Sequence, residues 1–243
     1  MRIAVISDIH GNWHALEAVL ADVEKEDVEE IWCLGDVVGY GPQPKRCVDA
    51  TREHSKVCLI GNHDLAAIGQ ADLTAFTPDA AESARWTADE LTDDERAFLC
   101  TLEPRGEREG AQLFHGSPRD PVWEYILDES AVRAALDVTS AGLVMVGHSH
   151  IPIALQLSNG GTLAGGLARG GSELELSGGR WLLNPGSVGQ PRDGDPRAAY
   201  LLIDLETHGA HFRRVPYDVE QTQSEIREAG LPEALATRLA EGE

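Results

Sequence analysis

Five short segments of the chain end an apolar run with residues of the types that bind metal ions. The first is VISDIHGN, in which Asp8 and His10 follow the apolar run IAVI almost at the start of the chain. The candidate ligands of the five segments are carboxylates, imidazoles and one amide: Asp8, His10, Asp36, Asn62, His63, His115, His148 and His150. No cysteine accompanies them, which argues against a structural zinc site with thiolate ligands.

The donor types indicate which chemistry such a site would perform. Imidazole nitrogen suits Zn, Fe, Co and Mn, whereas carboxylate and amide oxygen suit Mn and Mg. His63 aside, the set offers seven donor groups. That number exceeds what one tetrahedral ion needs, and two ions that share a carboxylate fit it better. Paired ions about 3.5–4 Å apart serve phosphoryl transfer because they clamp the attacking and leaving oxygens.

Three of the segments, taken singly, also have a structural explanation, whereas GHSH by itself favours a metal site. Asp8 and His10 are typical of a helix cap followed by a solvated turn. The sequence GNHD is typical of a helix start, and His115 of a hydrogen-bonded histidine at a strand end. The five segments nevertheless occur in order, each after a predicted strand. This regularity favours a metal centre over separate structural explanations.

Alternating strands and helices are predicted to bring these segments together. The runs RIAVIS, EIWCLG and KVCLIG are typical of strands, and the helices between them are predicted over Asn12 to Glu26 and Pro44 to Glu53. This order indicates a parallel sheet, whose strands all end at one edge. We therefore expect the candidate ligands to converge there, with Asp8 and His10 on one face because side chains alternate along a strand.

Further elements follow from the same patterns up to His150. Thr77 to Leu102 is predicted to be helical, with Thr92 and Glu95 as a capping box. The predicted strands AQLFHG and GLVMVG flank a helix over Glu129 to Val138.

The last third of the chain has a different character. Short alternating strands separated by Gly pairs predict an antiparallel meander. The Gly-rich segment from Ser158 to Gly179 is expected to form hairpin turns, with a mobile lid as the alternative. Val219 to Glu241 is predicted to form one or two helices, broken near Gly230 and Pro232.

Length and composition favour one soluble domain. The chain has 243 residues, of which 42% are hydrophobic and 25% charged, and this suits a single sizeable core. We expect one domain over residues 1–243, with a core over 1–217 and a helical extension over 218–243. No apolar run reaches the length of a membrane span or signal peptide. The sequence thus predicts a cytoplasmic protein without a membrane partner.

The charge restricts the partners further. The net charge is −21, from 41 acidic and 20 basic residues, which argues against extended nucleic acid as a substrate. A small phosphate ester held by metal ions remains compatible with this charge. The C-terminal helices either cover the sheet or form a contact between two copies, and the sequence leaves both alternatives open.

The five segments resemble the sequence blocks of the calcineurin-like metallophosphoesterase superfamily. The blocks are DIH, GD, GNHD, the His before GS, and GHSH, and the resemblance extends from Met1 to about Tyr217. The flanking sequences GDVVGYGPQP, HGSPRDPVWEY and NPGSVGQPRDGDPRAAY resemble the bacterial and archaeal phosphodiesterase branch. The resemblance implies an α/β fold in four layers, αββα. In that fold two mixed sheets pack as a sandwich with helices on the outer faces, and the metal site lies at the carboxyl ends of the strands.

The resemblance also implies a role for each candidate ligand. One ion is expected to bind Asp8, His10, Asp36 and His150. The other is expected to bind Asp36, Asn62, His115 and His148. Asp36 and a hydroxide would bridge the pair, and the hydroxide would attack phosphorus in line. Mn²⁺ is preferred for the mixed nitrogen and oxygen donors, with Fe, Zn, Mg, Ni and Co as alternatives.

The substrate side is expected to involve His63 and Asn62. By resemblance, His63 lies near the leaving group as a general acid or as a donor to the phosphate, and Asn62 contacts both metal and substrate. The protein phosphatase and dinucleotide tetraphosphatase branches carry an Asp-Arg pair where this chain has Gly39 and Tyr40. The missing Arg removes a bidentate phosphate clamp, and the missing Asp removes the partner of His63.

Several residues are candidates to replace this pair. Arg192 is the preferred substitute for the missing clamp, with Arg119 and Arg197 as alternatives. Tyr40 either lines the substrate pocket or packs on its own loop. Similarly, the aromatic residues of VWEY, Trp123 and Tyr125, either stack on a nucleobase or pack in the core or in a lid.

The sequence therefore predicts a metal-dependent phosphodiesterase that acts on small diesters. A diester carries one charge fewer than a monoester and needs less cationic clamping, which agrees with Gly39 and Tyr40. The alternatives are a phosphomonoesterase or protein phosphatase on the same scaffold, and a non-catalytic scaffold protein.

Overall fold

The first third of the chain alternates strands and helices as predicted. The computed structural model describes residues 1–243. The elements in this part are β1 (Arg2–Ile6), α1 (Trp13–Val23), β2 (Glu30–Cys33), α2 (Pro44–His54) and β3 (Ser55–Cys58). Strand β2 pairs in parallel with β1 on one side and with β3 on the other. The predicted parallel sheet is confirmed, and Asn12 caps α1 through its side chain, which accepts from the Ala15 amide.

Short helices follow β3. They are α3 (Asn62–Ala67), a 3₁₀ turn (Leu73–Ala75), α4 (Pro78–Glu90) and α5 (Asp93–Leu99). The segment predicted to be helical is thus two helices, and the capping box of Thr92 and Glu95 begins the second of them.

The second sheet begins with a strand that the sequence did not reveal. Strand β4 (Arg105–Arg108) pairs antiparallel with β5 (Ala111–Phe114). Helix α6 (Glu129–Asp137) then connects β5 to β6 (Leu143–Met145), which lies parallel to it. Because β4 carries the polar sequence RGER, it lacks the apolar alternation that marks a strand.

The predicted antiparallel meander is confirmed for two hairpins, while two further strands pair antiparallel with strands that are not adjacent to them in the chain. The remaining strands are β7 (Ile153–Ser158), β8 (Leu163–Leu167), β9 (Glu173–Glu175), β10 (Gly179–Asn184), β11 (Ala198–Asp204) and β12 (Gly209–Val215). The hairpins β7–β8 and β11–β12 are antiparallel. Strand β10, whose last three residues are buried, takes a central position, antiparallel to β7 and parallel to β6. The short, exposed β9 crosses over to the edge of the first sheet, beside β12.

Two six-stranded mixed sheets result, in the orders β3-β2-β1-β11-β12-β9 and β4-β5-β6-β10-β7-β8. Alternation along β1 shows how they pack. Ile3 and Val5 lie in the core between the sheets, whereas Ala4 and Ile6 face the outer helices. Helix α6 covers the second sheet in the same way through Val132 and its neighbours. The predicted four-layer αββα sandwich is confirmed.

The C-terminal segment forms a helical hairpin that packs on its own chain. Helices α7 (Val219–Glu228) and α8 (Glu233–Glu241) are separated at the predicted break. Their buried apolar cluster includes Leu235 and Leu239 and extends to Tyr40 in the loop after β2. Glu225 of α7 also contacts His14, at 3.0 Å, and Gln43.

None of the helices combines the length and the apolar character that crossing a lipid bilayer requires.

The hairpin is expected to contribute measurably to stability. Leu235→Ala removes a side chain that is 2% exposed, and truncation of a buried leucine lowers the free energy of unfolding by about 2–5 kcal/mol. Urea unfolding followed by circular dichroism measures the change. Val138→Ala is the control, because Val138 is 59% exposed and its loss should change the free energy of unfolding by about 0.5 kcal/mol or less. An equal decrease of the free energy of unfolding in the two variants would contradict the burial of Leu235 in the hairpin.

Candidate metal centre

Five of the candidate ligands lie in loops just beyond the strands, in an unusual backbone conformation. Asp8, His10, Asp36, His148 and His150 have φ values of 54°, 50°, 53°, 62° and 60°. All lie in the left-handed region, which Asp and His tolerate better than most residues. The expectation that strand alternation places the first two side by side is therefore wrong, because β1 ends at Ile6. Conformations of this kind cost about 1–3 kcal/mol each and require support from their surroundings.

Main-chain hydrogen bonds between the loops supply that support. The His10 amide donates to the Asp36 carbonyl at 2.9 Å, and the Asp8 amide donates to the Gly35 carbonyl at 3.0 Å. Across the two sheets, the Gly189 amide donates to the Asp8 carbonyl at 3.0 Å. The loops thus form one hydrogen-bonded unit at the carboxyl edge of both sheets.

Two buried groups of ligand atoms form within this unit. The ligand atoms of each group lie within 4.8 Å of one another, and the groups are Asp8, His10, Asp36 and His150, and Asp36, His115 and His148. Asn62 adjoins the second group, since its Oδ1 lies 3.1 Å from Nε2 of His115. All seven residues that the sequence suggested as ligands therefore lie together, and Asp36 belongs to both groups.

Each of the two carboxylates has one oxygen held and one oxygen free. Asp8 Oδ2 accepts from the His148 amide at 3.1 Å, and Asp36 Oδ1 accepts from the His63 amide at 2.8 Å. The other oxygens, Asp8 Oδ1 and Asp36 Oδ2, are buried and have no hydrogen-bond partner. Because buried oxygens without a partner are rare and costly, both fit the role of metal ligands.

The imidazole rings are also oriented so that one nitrogen is held by the protein and the other is free. Nδ1 of His10, His115 and His150 lies 3.1, 2.9 and 2.6 Å from the backbone carbonyls of Val38, Leu34 and Gln190. Since a carbonyl only accepts, Nδ1 carries the proton and Nε2 carries the lone pair. The Nε2 atoms of His10 and His150 lie 3.1 Å apart. Two lone pairs this close repel each other unless a cation lies between them, so the histidines also fit a metal ion.

The protonation equilibria agree with this interpretation. Burial raises the pKa of Asp8 to about 7 and raises the pKa of Asp36 well above its usual range. Burial likewise lowers the pKa of His148 to about 2 and the pKa of His10 well below its usual range. The His10 and His148 imidazoles are therefore neutral and able to ligate, and the carboxylates lack a compensating charge that divalent cations would supply.

Asp64 holds the loops of the site together, although the sequence did not single it out. Its Oδ1 accepts from the Val38 amide at 3.0 Å and its Oδ2 accepts from the Gly61 amide at 2.9 Å. Asp64 thereby ties the loop after β2 to the loop after β3. Asp64 is the fourth residue of GNHD, so the motif itself contained it. The residue type alone, however, does not distinguish a metal ligand from a residue that positions the ligands.

His63 lies beside the two groups without a polar partner for its side chain. Its Nδ1 is buried and unpaired, and its ring packs against Tyr40 at 4.3 Å and Phe76 at 5.1 Å between centroids. Gly39 has φ +88°, and a Cβ there would lie 2.7 Å from Nδ1 of His63. The aspartate that related branches carry at this position does not fit this loop conformation.

Of the three candidate arginines, Arg192 is the one free to meet a substrate. Arg119 forms an ion pair with Glu124 at 3.4 Å, and Arg197 forms one with Asp195 at 2.6 Å. The Arg192 guanidinium has no acidic partner, its Nε is buried without a hydrogen bond, and its Cζ lies 5.9 Å from the centre of the Tyr40 ring. Tyr40 itself packs on His10, with 4.7 Å between ring centroids.

The aromatic residues after His115 border the site rather than the core. Tyr125 stacks on His148 with 3.8 Å between centroids and an interplanar angle of 23°. Trp123 makes an edge contact with Phe76 at 5.5 Å. Trp123 and Tyr125 are 39% and 45% exposed, which excludes the alternative that they pack in the core.

Comparison with known proteins gives matches along the whole chain. A family model described as the calcineurin-like phosphoesterase superfamily domain matches residues 1–208. The uncharacterized protein MJ0912 of Methanocaldococcus jannaschii is 37% identical, over 98% of this chain and 96% of that protein. The crystal structure of a metallophosphoesterase from Sphaerobacter thermophilus is similar with a TM-score of 0.91. It is 42% identical, and the match covers 100% of this chain and 99% of that one.

A further match is local. The symmetrical bis(5'-nucleosyl)-tetraphosphatase of Methylobacillus flagellatus is 32% identical over 75 residues, which is 30% of this chain and 27% of that enzyme.

Gly61 offers a direct test of the proposed ligand geometry. A Cβ at this position would lie 2.0 Å from Oδ1 of Asp36, so Gly61→Ala should displace the shared carboxylate. We expect metal affinity to fall by about 10- to 100-fold, as for other changes behind a ligand, measured by titrating the chelated protein with Mn²⁺. Gly142→Ala is the matched control, because a Cβ there meets open space. Unchanged metal affinity in Gly61→Ala would contradict the placement of Asp36 in the centre.

Proposed function

Because the chain belongs to the calcineurin-like phosphoesterase superfamily and is a metal-dependent phosphoesterase, we propose that it hydrolyses small phosphate diesters at a centre of two divalent metal ions. The observation that carries this proposal is the position of Asp36, whose free Oδ2 lies 3.6 Å from Nε2 of His10 and 3.5 Å from Nε2 of His115. A carboxylate that faces both groups of ligands is suited to bridge two ions.

We assign the ligands of the two ions from these groups. Asp8, His10, Asp36 and His150 would hold one ion, and Asp36, Asn62, His115 and His148 would hold the other. Two divalent ions bound there would activate water for attack on phosphorus and neutralise the phosphoryl oxygens. Mn²⁺ is the preferred ion because the donors mix imidazole with carboxylate and amide.

His63 is proposed to donate a hydrogen bond to the phosphate on the leaving-group side. Its Nδ1 has no carboxylate or carbonyl partner that would hold it as an imidazolium. The ring is fixed between Tyr40 and Phe76, so its orientation is set by packing. Of the two roles expected from the sequence, general acid and donor, this environment favours the donor.

Asn62 is proposed to serve metal and substrate together. Its Oδ1 lies beside the second group of ligands, at 3.1 Å from Nε2 of His115. An amide that ligates through oxygen keeps two N–H donors for a phosphoryl oxygen. Asn62 is the first residue of α3, so the start of that helix fixes its position.

Arg192 is proposed to bind the phosphoryl oxygens. Its unpaired, partly buried guanidinium is held by a single side-chain hydrogen bond, to Oε1 of Gln190 at 2.8 Å. Tyr40 would line the pocket between this guanidinium and His10. One arginine in place of the related branches' Asp-Arg pair suits the monoanionic phosphate of a diester better than a monoester dianion.

The alternative enzyme functions are a phosphomonoesterase and a protein phosphatase on the same scaffold. The local likeness to a bis(5'-nucleosyl)-tetraphosphatase adds a polyphosphate ester to the substrates worth assaying. Gly39 and Tyr40 argue against all three, because neither supplies the acid and the guanidinium of those branches. A non-catalytic scaffold is disfavoured by the unpaired ligand oxygens of Asp8 and Asp36.

The first test compares a diester with a monoester. Chelated protein is reloaded with Mn²⁺, or with Fe, Zn, Mg, Ni or Co, and assayed with bis-p-nitrophenyl phosphate and p-nitrophenyl phosphate. We expect metal-dependent turnover that favours the diester. Asp36→Asn should lower kcat/KM by about 100-fold or more, whereas Asp49→Asn, at an exposed carboxylate, should not. Faster turnover of the monoester would favour the phosphomonoesterase, and protein that neither binds metal nor turns over would favour the scaffold.

Replacement of Arg192 tests the phosphate clamp. Arg192→Ala should lower kcat/KM for the diester by about 10- to 100-fold, because a charged hydrogen bond contributes about 1.5–3 kcal/mol. Arg192→Lys should recover only part of this loss. Arg119→Ala is the matched control, since Arg119 is occupied by Glu124. An equal effect of the two alanine variants on kcat/KM would contradict the proposed role of Arg192 in binding the phosphate.

A further inference from the structure

A group of three aromatic side chains, two exposed and one half-buried, adjoins the proposed metal centre. We use the term aromatic shelf for Phe76, Trp123 and Tyr125. Only five large hydrophobic residues of the chain are exposed, and three of them lie at alternate positions of one segment: Trp123, Tyr125 and Leu127. Such a concentration of exposed apolar side chains marks a binding surface.

The shelf is connected to both ends of the site through ring contacts. Tyr125 stacks on His148, and Phe76 meets His63 edge-on at 5.1 Å with an interplanar angle of 82°. Trp123 lies against Phe76 at 71°. A group bound on the shelf would therefore lie directly beside a phosphate held at the metal centre.

The loop that carries Trp123 and Tyr125 of the shelf is held by hydrogen bonds at its start. The Gly116 amide donates to the Pro121 carbonyl at 2.7 Å, and a Cβ at Gly116 would lie 2.6 Å from the Asp120 carbonyl oxygen. Oδ1 of Asp120 accepts from the amides of Val122 and Trp123, both at 3.1 Å. Because the loop is fixed in this way, the aromatic rings are presented without the entropy loss that ordering a flexible loop would add.

We infer that the aromatic shelf binds a planar aromatic group in the alcohol portion of the phosphate ester, and that this group is the nucleobase of a nucleotide. Stacking on an aromatic side chain is tolerant of the base, since every base offers a planar π face. A small nucleotide ester also agrees with the net charge of −21, which disfavours a long polyanion. A protein partner on the shelf would cover His63 and His148 and close the site to substrate. This inference relies on the proposed function only to place the phosphate beside the shelf.

Ligand binding tests the shelf without relying on turnover. Adenosine 5'-monophosphate and ribose 5-phosphate share the sugar and the phosphate and differ in the base. Calorimetric titration of the Mn²⁺-loaded protein should give tighter binding of the nucleotide. Trp123→Ala should weaken nucleotide binding by about 5- to 100-fold, the range measured for loss of one stacking side chain, and should leave ribose 5-phosphate within about twofold.

Control variants separate stacking from a general disturbance. Trp123→Phe keeps a ring and should recover most of the affinity for the nucleotide. Val138→Ala removes another exposed apolar side chain, which lies at the end of α6, and it should change neither affinity. Thermal melting verifies that each variant is folded.

The outcomes distinguish the two proposals. Equal affinity of the wild-type protein for the two ligands, or an equal loss of both affinities in Trp123→Ala, would overturn the shelf proposal while leaving the diester hydrolysis proposal untouched.

A titration with phenyl phosphate tests whether the shelf prefers a nucleobase to a simple aryl ring. Binding of phenyl phosphate as tight as that of the nucleotide would overturn the assignment to a nucleobase in favour of simple aryl esters, and weaker binding supports it. Loss of diester turnover together with retained selectivity for the nucleotide would overturn the proposed reaction alone.

Discussion

The structure depends on the burial of two carboxylates, Asp8 and Asp36, at one edge of the sheet sandwich. Each places one oxygen against a main-chain amide and leaves the other without a partner. Burying such an oxygen is unfavourable unless a cation meets it. The imidazoles around the carboxylates offer nitrogen lone pairs to a metal ion but do not supply that charge. The geometry of the loops is therefore explained by a binding site for divalent ions, and we call these loops the ligand frame.

The frame holds because the ligands come from both sheets. Asp8 and Asp36 follow β1 and β2 of the first sheet, whereas His115 and His148 follow β5 and β6 of the second. The distance between the two sets is fixed by the apolar core between the sheets, which includes Trp32. Five of the ligands adopt left-handed backbone conformations, and hydrogen bonds between the loops maintain them. Packing energy in the core thus maintains local strain at the site.

The sequence predicts much of this arrangement because strand ends are local signals. Apolar runs that end in Asp, His or Asn identify the sheet edge, and parallel topology brings such ends together. The sequence does not predict how Asp8 and His10 reach the same ion, because left-handed conformations depend on hydrogen bonds from distant loops. It also misses Asp64 and Phe76, whose roles come from tertiary contacts. Strand β10 escapes prediction for the same reason, since only burial on both faces explains its central place between β6 and β7.

The metal side and the substrate side of the site have different structural origins. The ligands follow strands of the sandwich, and all of them lie within residues 1–208, which the family model matches. Tyr40, by contrast, packs against the α7–α8 hairpin, which lies beyond residue 208. The loop that carries Arg192 is fixed by the same hairpin, because the Gly194 amide donates to the Gly242 carbonyl at 3.0 Å. A change in the hairpin can therefore alter the proposed substrate side through Tyr40 and the Arg192 loop without replacing any candidate ligand. Substrate preference can diverge by this route among chains that share the same metal ligands.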